Sequence, residues 1–258
     1  ASCVGFELFF NLITKKKQTV GDLSAVITGL LLALSLPTTT TVWQIIVGSA
    51  FAIVVVKCLF GGLGCNFANP AIAGRVFMLL TFSQVAGGAN PTIVDVTTSA
   101  TPLELLAKGE EVPGLLDMFL GLHGGAIGET CILALILGFV YLLVRKVITW
   151  HTPVVFIATV FVLYLAFTGD VMMAVSQILA GGLFIGAIFM ATDYVTSPAT
   201  PWGKIIFGLG AGLITFLIRY FGVYPEGVSF AILLMNILNP YIDSWTKHKV
   251  LGVGGKKA

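Results

Sequence analysis

The stretch that decides the fold is residues 153–168, PVVFIATVFVLYLAFT, in which no side chain is charged. Apolar runs of about 15 to 20 residues suit helices that cross the ~30 Å hydrocarbon core of a bilayer. Comparable runs recur along the chain, at roughly 24–36, 42–60, 70–83, 118–144, 171–191, 205–221 and 227–241. Together they predict an all-α, polytopic membrane protein.

The composition of the whole chain agrees with that prediction. Of the 258 residues, 57% are hydrophobic and 10% are charged, whereas about 25% of the residues in soluble domains are charged. A soluble protein of this composition would expose large apolar patches and aggregate. The net charge of +2 and the four scattered cysteines argue against a nucleic-acid partner and a disulfide scaffold. We therefore expect the chain to lie in a lipid bilayer.

The chain is predicted to form one integral membrane domain, residues 1–258, that contains two similar units. The first repeat covers about 24–83 and the second about 171–241, with an outer loop at about 84–117 and a tail at about 244–258. Each unit has a Gly-rich segment, a proline, a Trp-led span, a basic residue before Phe and Gly, and a short helix after a break. Inverted repeats with broken helices are a transporter-like design. The alternative is that two Gly-rich apolar stretches resemble each other by composition alone.

The first residues of the sequence, 1–12, are themselves apolar. We interpret them as the tail of an interrupted helix, and we therefore expect a further N-terminal piece. A cleaved signal peptide is disfavoured, because no short apolar region flanked by Lys or Arg precedes a small-residue cleavage site.

Charged residues between the apolar runs predict the orientation. If each run crosses the membrane at least partly, one side receives Lys15, Lys16, Lys17, Lys57, Arg145, Lys146, Lys204, Lys247, Lys249, Lys256 and Lys257. The other side receives Asp95, Glu104, Glu110, Glu111, Asp117, Asp170 and Glu226, with Lys108 and Arg219 as its basic residues. The positive-inside rule then predicts that the 84–117 loop lies outside and the C-terminus inside. The alternative is a coincidence of segment boundaries.

Three of the charged residues in or near apolar runs, where an unpaired charge is costly, are candidate functional residues. Glu129 lies near the start of a long apolar span, and Asp193 lies near a membrane boundary. Each either belongs to an ion path or is a carboxylate favoured by a helix N-terminus. Arg75 follows the break at Asn69-Pro70, and it either snorkels to the interface or pairs with an anionic ligand such as a phosphate.

Other kinds of site are not predicted. The sequence has no phosphate-binding loop of the Walker type and no Cys or His cluster with metal-ligand spacing. Cys58 and Cys65 are either ligands of an iron–sulfur cluster shared with a partner's cysteines or small hydrophobic residues. No residue is therefore assigned as catalytic or as a metal ligand.

The outer loop carries the most informative motif, Asp95-Val-Thr-Thr-Ser-Ala-Thr-Pro-Leu103. By itself it predicts a Thr-rich turn that ends at Pro102. It also matches the signature Ser/Thr-x-Ala-Thr-Pro-Leu, and in this the chain resembles the RnfD/NqrB family of membrane flavoproteins. The resemblance extends over nearly the whole chain, through residues 29–37, 57–71, 124–130, 189–193, 224–234 and 239–243. The last three segments are more similar to RnfD than to NqrB, and Tyr194 departs from the family, where a Pro commonly follows Thr-Asp.

The resemblance implies a covalent cofactor. In the family, a flavin transferase joins the phosphate of FMN to the hydroxyl of the threonine in the Ala-Thr-Pro-Leu part of the signature, which here is Thr101. The neighbouring hydroxyls would lie near that phosphate, the proline would stiffen the loop, and an arginine would contact the phosphate or the ring. The cofactor-binding residues assigned in this way are Thr98, Ser99, Ala100, Thr101, Pro102 and Arg75. A second flavin, riboflavin, between the repeats is left open.

The resemblance also implies a function and partners. The chain would be one component of an Rnf-type complex in a prokaryotic cytoplasmic membrane, where electron flow between ferredoxin and NAD⁺ drives Na⁺ or H⁺ across the bilayer. Its partners would be other membrane subunits and a second flavoprotein subunit, and it would not be catalytic alone. Two alternatives from other classes are a cofactor-free secondary transporter or channel, and a structural anchor for partner subunits.

Overall fold

The computed structural model describes residues 1–82, 101–222 and 226–246, together with the backbone of residues 90–91 and 98–99. The helices of its first half are α1 (Ser2–Ile13), a 3₁₀ turn (Val20–Asp22), α2 (Ser24–Ser35), α3 (Val42–Ala50, continued as a π-helix over Phe51–Cys58), α4 (Pro70–Thr81), α5 (Pro102–Lys108) and α6 (Leu115–Leu120). Those of its second half are α7 (Ile127–Thr130), α8 (Ile132–Val144), α9 (His151–Thr168), α10 (Val171–Leu179), α11 (Leu183–Ile185, continued as a π-helix over Gly186–Met190), α12 (Pro201–Phe221) and α13 (Val228–Thr246). Two short strands, β1 (Asn90–Pro91) and β2 (Thr98–Ser99), pair antiparallel.

The helices confirm an all-α polytopic membrane protein. Among the described residues, α9 and α12 are each long and apolar enough to cross a membrane. A third span results if α10 and the helix over Leu183–Met190 are counted together, although they are bent by 64° at the break between them. Helices α1, α2, α3, α4 and α8 are apolar but shorter. Short and bent apolar helices are typical of membrane proteins in which helices break around a cavity.

The core of the second half lies between α9 and α12. Phe156 and Val160 of α9 and Phe207 and Phe216 of α12 are buried there. Glycines allow the close approach that such packing needs in a membrane. A Cβ atom on Gly212, for example, would lie 2.6 Å from the Cβ of Thr159, which is closer than real Cβ atoms come to each other.

Replacing Gly212 by Ala is expected to lower the stability of the protein by about 1–3 kcal/mol, because the added methyl group overpacks the α9–α12 contact. The measurement is thermal unfolding of the purified protein in detergent. Gly5→Ala in α1 is the matched control, since nothing lies within 4 Å of a Cβ at that position. An equal, small effect of both changes would contradict this account of the packing.

Two of the predicted apolar runs, 118–144 and 171–191, are each divided into more than one helix. The run at 118–144 is broken into α6, α7 and α8, because Gly121 adopts φ +88° and ends α6, and an irregular segment follows. The run at 227–241 is longer in the structure, since α13 continues through Pro240 to Thr246. A proline inside a helix removes one backbone hydrogen bond, and α13 tolerates that loss.

The order of elements in the two predicted repeats is similar. A Gly-containing helix, a proline, a long helix and a further helix follow one another in α2–α4 and again in α11–α13. The inverted relation between the two units, and the domain boundaries drawn from it, stay predictions.

Candidate functional site

Thr101 lies at the N-terminus of α5 and caps it. Its Oγ1 accepts a hydrogen bond from the backbone N–H of Glu104 at 3.3 Å, and the Glu104 carboxylate accepts one from the N–H of Thr101 at 3.3 Å. This reciprocal capping box satisfies two N–H groups that the helix leaves free. Pro102 occupies the first helical position, where its missing N–H costs nothing. Pro102 therefore begins a helix, whereas the motif read locally predicts only the end of a turn.

The apolar face of α5 anchors the motif to the second half of the chain. Leu103 and Leu106 are buried in a cluster with Met118 of α6 and Ala180, the residue after α10. Since Leu103 follows Thr101 by only two residues, the capping threonine is fixed next to the break between α10 and α11. Thr101 itself is half-buried.

The break between α10 and α11 consists of two consecutive glycines. Gly181 adopts φ +68°, and a Cβ atom there would lie 2.9 Å from Leu103 Cδ2 and 3.3 Å from Arg219 Nη2. A Cβ atom on Gly182 would lie 2.8 Å from Oε1 of Glu129 and 3.1 Å from Oε1 of Glu226. The break thus has α5, the helix that Thr101 caps, on one side and charged groups on the other. A residue larger than glycine would not fit at Gly181 or at Gly182.

Glu129 and Glu226 form a buried ion network with Arg75. Arg75 Nη2 lies 2.7 Å from Glu129 Oε1 and 2.5 Å from Glu226 Oε2. The exposed fractions of the three side chains are 6%, 12% and 18%. The residues come from α4, from α7 and from the segment just before α13, so the network ties together both predicted repeats and the segment between them. Removal of one partner would leave a buried charge without compensation.

Arg219, near the C-terminus of α12, makes a different kind of contact. Its Nη1 donates to the carbonyl of Gln177 at 2.6 Å, and its Nη2 donates to the carbonyl of Ala180 at 3.2 Å. These carbonyls belong to the last turn of α10, where positive charge is favoured. Within the described residues, no carboxylate oxygen lies within 4.0 Å of Arg219.

A second polar region lies where the N-terminus of α4 meets the end of the π-helix over Gly186–Met190. Asn69 caps α4 by accepting from the N–H groups of Ala71 and Ile72, and its Nδ2 donates to the carbonyl of Met190 at 3.1 Å. Asp193 lies just after this π-helix, and its Oδ2 accepts a hydrogen bond from Thr196 Oγ1 at 3.0 Å. A cavity of about 190 Å³ in this region is lined by side chains that include Lys57, Asn66, Asn69, Phe189 and Asp193.

Lys57 is not the exposed loop charge that the orientation argument assumes. Its Nζ lies 2.8 Å from Glu7 Oε1, and both side chains are at most 3% exposed. Thr19 Oγ1 also donates to that oxygen at 2.8 Å. Because Lys57 is neutralised by an α1 carboxylate, it contributes little to the positive charge of one membrane face. Glu226, neutralised by Arg75, likewise contributes little to the negative charge of the other face.

The structure brings some of the predicted site residues together and separates others. Thr101 and Pro102 lie at the start of α5, Arg75 and Glu129 are partners in the ion network, and Asp193 belongs to the other polar region. Arg75 does not snorkel, because its guanidinium is buried against two carboxylates. Its contact with a flavin stays a prediction. Ala100, the side chains of Thr98 and Ser99, and the tail after residue 246 lie outside the described residues.

The sequence pattern places Glu226 and Arg219 among the outer charges and does not reveal that both are half-buried beside the network. The available signal was that each is a charge close to an apolar run, as Glu129 is. Tyr194, the departure from the family pattern, donates from its hydroxyl to the carbonyl of Val147. Cys58 is buried with Cys3, Ala25 and Ile53, as a small hydrophobic residue would be, and Cys65 is exposed.

Comparisons with known proteins point to the same family as the motif does. The chain is 45% identical to the D component of the Na⁺-translocating ferredoxin:NAD⁺ oxidoreductase complex of Acetobacterium woodii, over 98% of this chain and 80% of that protein. It is 43% identical to the D component of the proton-translocating ferredoxin:NAD⁺ oxidoreductase complex of Clostridium ljungdahlii, over 93% and 78%. It is 36% identical to the D component of the ion-translocating oxidoreductase complex of Citrobacter koseri, over 90% and 78%. The model of the NQR2, RnfD, RnfE family matches residues 1–252, and the chain therefore belongs to this family.

Proposed function

We propose that this chain is a membrane subunit of an Rnf-type ion-translocating ferredoxin:NAD⁺ oxidoreductase, and that it carries FMN esterified through its phosphate to Thr101. It acts with other membrane subunits and a second flavoprotein subunit, and it is not catalytic alone. The observation that carries the proposal is the position of Thr101. Thr101 caps α5, and α5 packs against the charged break between α10 and α11.

The contacts of Thr101 fit an esterified side chain. In the capping box Oγ1 only accepts a hydrogen bond, so the hydroxyl proton that esterification removes is not needed for the cap. The first N–H groups of a helix also favour a nearby negative charge such as a phosphodiester. The half-buried threonine keeps part of its surface accessible to the enzyme that attaches the flavin.

The remaining residues hold the attachment point in place. A bound flavin supplies electron transfer in one- or two-electron steps, which amino-acid side chains do not provide. Leu103 and Leu106 fix α5 to the end of α10, and the capping box fixes the direction in which the Thr101 side chain leaves the helix. The covalent bond keeps the carrier from diffusing away between electron transfers. The ion network beneath the break fixes α4 and α7 relative to this position.

The experiment that tests the proposal is in-gel fluorescence of the denatured chain from the purified complex. A covalent flavin survives denaturation and gives a fluorescent band at the size of this chain. A cofactor-free transporter or channel, or a structural anchor, would give no such band. The free flavin released on denaturation is identified in the same sample by chromatography.

Riboflavin is proposed as a second, non-covalent flavin in the cavity between the N-terminus of α4 and the end of the π-helix over Gly186–Met190. This cavity has polar groups from both predicted repeats, among them Asn69 and Asp193. Its volume of about 190 Å³ is below the roughly 300–1,000 Å³ of ordinary ligand pockets. Riboflavin binding would therefore require the cavity to open, and release of riboflavin on denaturation is the expected sign of it.

Ion transport is proposed to involve Glu129 and Asp193. One relative is named for Na⁺ and another for protons at nearly the same identity, 45% and 43%, so both ions must be measured. In liposomes, Glu129→Gln is expected to lower the number of ions moved per electron pair, a ratio that does not depend on the rate of NADH formation. The exposed Glu110→Gln is the control. An unchanged ratio would show that Glu129 serves only as a partner of Arg75.

The orientation is proposed from the charges, with the motif loop outside and the C-terminus inside. In a background without native cysteines, a membrane-impermeant thiol reagent applied to intact cells is expected to label Glu110→Cys and not Arg145→Cys. Both positions are exposed, so accessibility within the fold does not distinguish them. The reverse labelling pattern would overturn the topology and the repeat argument with it.

A further inference from the structure

Three packed helices enclose a group of buried polar atoms without hydrogen-bond partners. Within the described residues these are Tyr164 Oη on α9, Gln177 Oε1 on α10, and Thr215 Oγ1 and Arg219 Nε on α12. Tyr164, Gln177 and Thr215 are 2%, 6% and 0% exposed. Buried polar atoms in proteins are nearly always paired, with protein or with ordered water. Four unpaired atoms on adjacent helices therefore need a common explanation.

The four side chains are neighbours. Arg219 bonds the backbone carbonyl of Gln177, and Thr215 precedes Arg219 by one helical turn on the same face of α12. The ring of Tyr164 packs edge-on against Phe216, with centroids 5.0 Å apart. Its hydroxyl lies close enough to Arg219 for an electrostatic interaction. Arg219 thus links residues of α9, α10 and α12 that each carry an unpaired buried polar atom.

The hydrogen-bond donors and acceptors among the four atoms indicate which ligand would bind them. Arg219 Nε carries a hydrogen and only donates, Gln177 Oε1 only accepts, and the two hydroxyls do both. A metal cation would be repelled by the guanidinium, and an anion would be repelled by the amide oxygen. Water donates and accepts, and a buried water typically makes about three hydrogen bonds to otherwise unpaired groups.

This group of unpaired atoms adjoins the ion network. Arg219 also lies close enough to Glu129 and Glu226 to interact with them electrostatically. Arg219 and the two carboxylates approach the consecutive glycines of the break, on which α5 packs. Arg219 therefore lies near both groups, the unpaired atoms of α9 and α12 and the two carboxylates beside Gly182.

We propose that Tyr164, Gln177, Thr215 and Arg219 bind ordered water, and that this water with Glu129 and Glu226 is the route by which the flavin exchanges protons. The route rests on the proposed function, because it requires FMN on Thr101. Two-electron reduction consumes two protons, FMN + 2 e⁻ + 2 H⁺ → FMNH₂, and reoxidation releases them. The carboxylates hold and pass on these protons, and the water carries them to and from the carboxylates.

The water itself is tested without reference to the flavin. Hydroxyl-radical footprinting of the intact complex with X-ray radiolysis modifies side chains that contact water, and mass spectrometry measures the rate. Tyr164 is expected to react several-fold faster than Phe156, another buried aromatic residue of α9. Equal rates at the two residues would show a dry site and overturn the proposal.

The proton route is tested by the rate of proton uptake, measured with a pH indicator when reduced methyl viologen, which releases no protons on oxidation, reduces the flavin of the complex. Thr215→Val and Tyr164→Phe remove one hydroxyl each at nearly constant shape, and each is expected to slow proton uptake several-fold. Thr159→Val is the matched control, because that hydroxyl already donates to the carbonyl of Val155 at 2.7 Å. Equal rates in all three variants would overturn the route.

Thermal stability separates an occupied site from an empty one in the same variants. If water pairs with the Thr215 hydroxyl, Thr215→Val lowers the unfolding temperature, because the water loses a partner. A higher unfolding temperature would mean that an unpaired hydroxyl had been removed and would overturn the water site. In-gel fluorescence is recorded alongside, since absence of the flavin band in the unaltered protein contradicts the proposed function and leaves the footprinting result standing.

Discussion

Replacing Thr101 by valine is expected to remove all covalently bound flavin from this chain while the chain still inserts and assembles. Valine has nearly the shape of threonine but no oxygen to esterify. It also cannot accept the hydrogen bond from the Glu104 N–H, so α5 loses part of its capping box, at a cost of about 1 kcal/mol. That cost is small beside the stability of a helix whose leucines are buried. In-gel fluorescence measures the flavin, and an antibody against a C-terminal tag measures the amount of chain.

Two controls make this result specific. Thr101→Ser keeps an esterifiable hydroxyl and the cap, so it is expected to preserve at least part of the covalent flavin. Thr98→Val removes a hydroxyl from the same motif and is expected to leave the flavin on Thr101. Full fluorescence in Thr101→Val, or its loss in Thr98→Val alone, would contradict the assignment.

Replacing Arg75 by methionine is expected to have the largest effect on stability. Glu129 and Glu226 would remain buried without the cation that lies within 2.7 Å of both. Breaking a buried ion pair in this way costs about 3–5 kcal/mol, which corresponds to a drop of roughly 10 °C in the unfolding temperature of a domain of this size. Thermal unfolding of the purified complex in detergent measures the change.

The control for charge removal is Arg145→Met, because Arg145 is exposed and the structure shows no carboxylate within 4.0 Å of it in the described part of the chain. The triple variant Arg75→Met, Glu129→Gln, Glu226→Gln removes the unpaired charges and is expected to regain part of the lost stability. If Arg75→Met unfolds at the same temperature as Arg145→Met, the network does not stabilise the protein.

Arg75→Lys separates the two roles proposed for this residue, since it keeps a charge but replaces a planar donor by a point charge. If Arg75 contacts the flavin as well as the carboxylates, the lysine variant is expected to assemble but to show an altered flavin content or redox potential. Normal flavin content, potential and turnover in Arg75→Lys would remove Arg75 from the flavin site and leave it in the ion network only.

The sequence predicted the helices well because apolar runs and their breaks are local signals. The runs at 24–36, 70–83, 153–168 and 205–221 each correspond to one helix within a few residues. The run at 118–144 is divided at a stretch, residues 121–128, that contains four glycines, and the left-handed backbone of Gly121 sets the residue at which α6 ends. At Asn239-Pro240 the packing of α13 outweighs the local preference of proline, and the helix continues.

The candidate site was predictable only in part, for a similar reason. Thr101 stands out because its whole motif is contiguous in sequence. The partners of Arg75 do not stand out, since Glu226 is 151 residues away along the chain and a long-range ion pair leaves no local pattern. The same holds for Lys57 and Glu7, which are 50 residues apart. Charges near apolar runs were recognised as unusual, but only the fold shows which of them neutralise each other.

Mass spectrometry of the peptides from the unaltered, purified chain locates the flavin. The peptide containing Thr101 is expected to carry the mass of FMN less one water, and fragmentation is expected to place the modification on the oxygen of Thr101. FMN on Thr97 or Thr98, or an unmodified peptide from a complex that is active in electron transfer, would contradict this assignment.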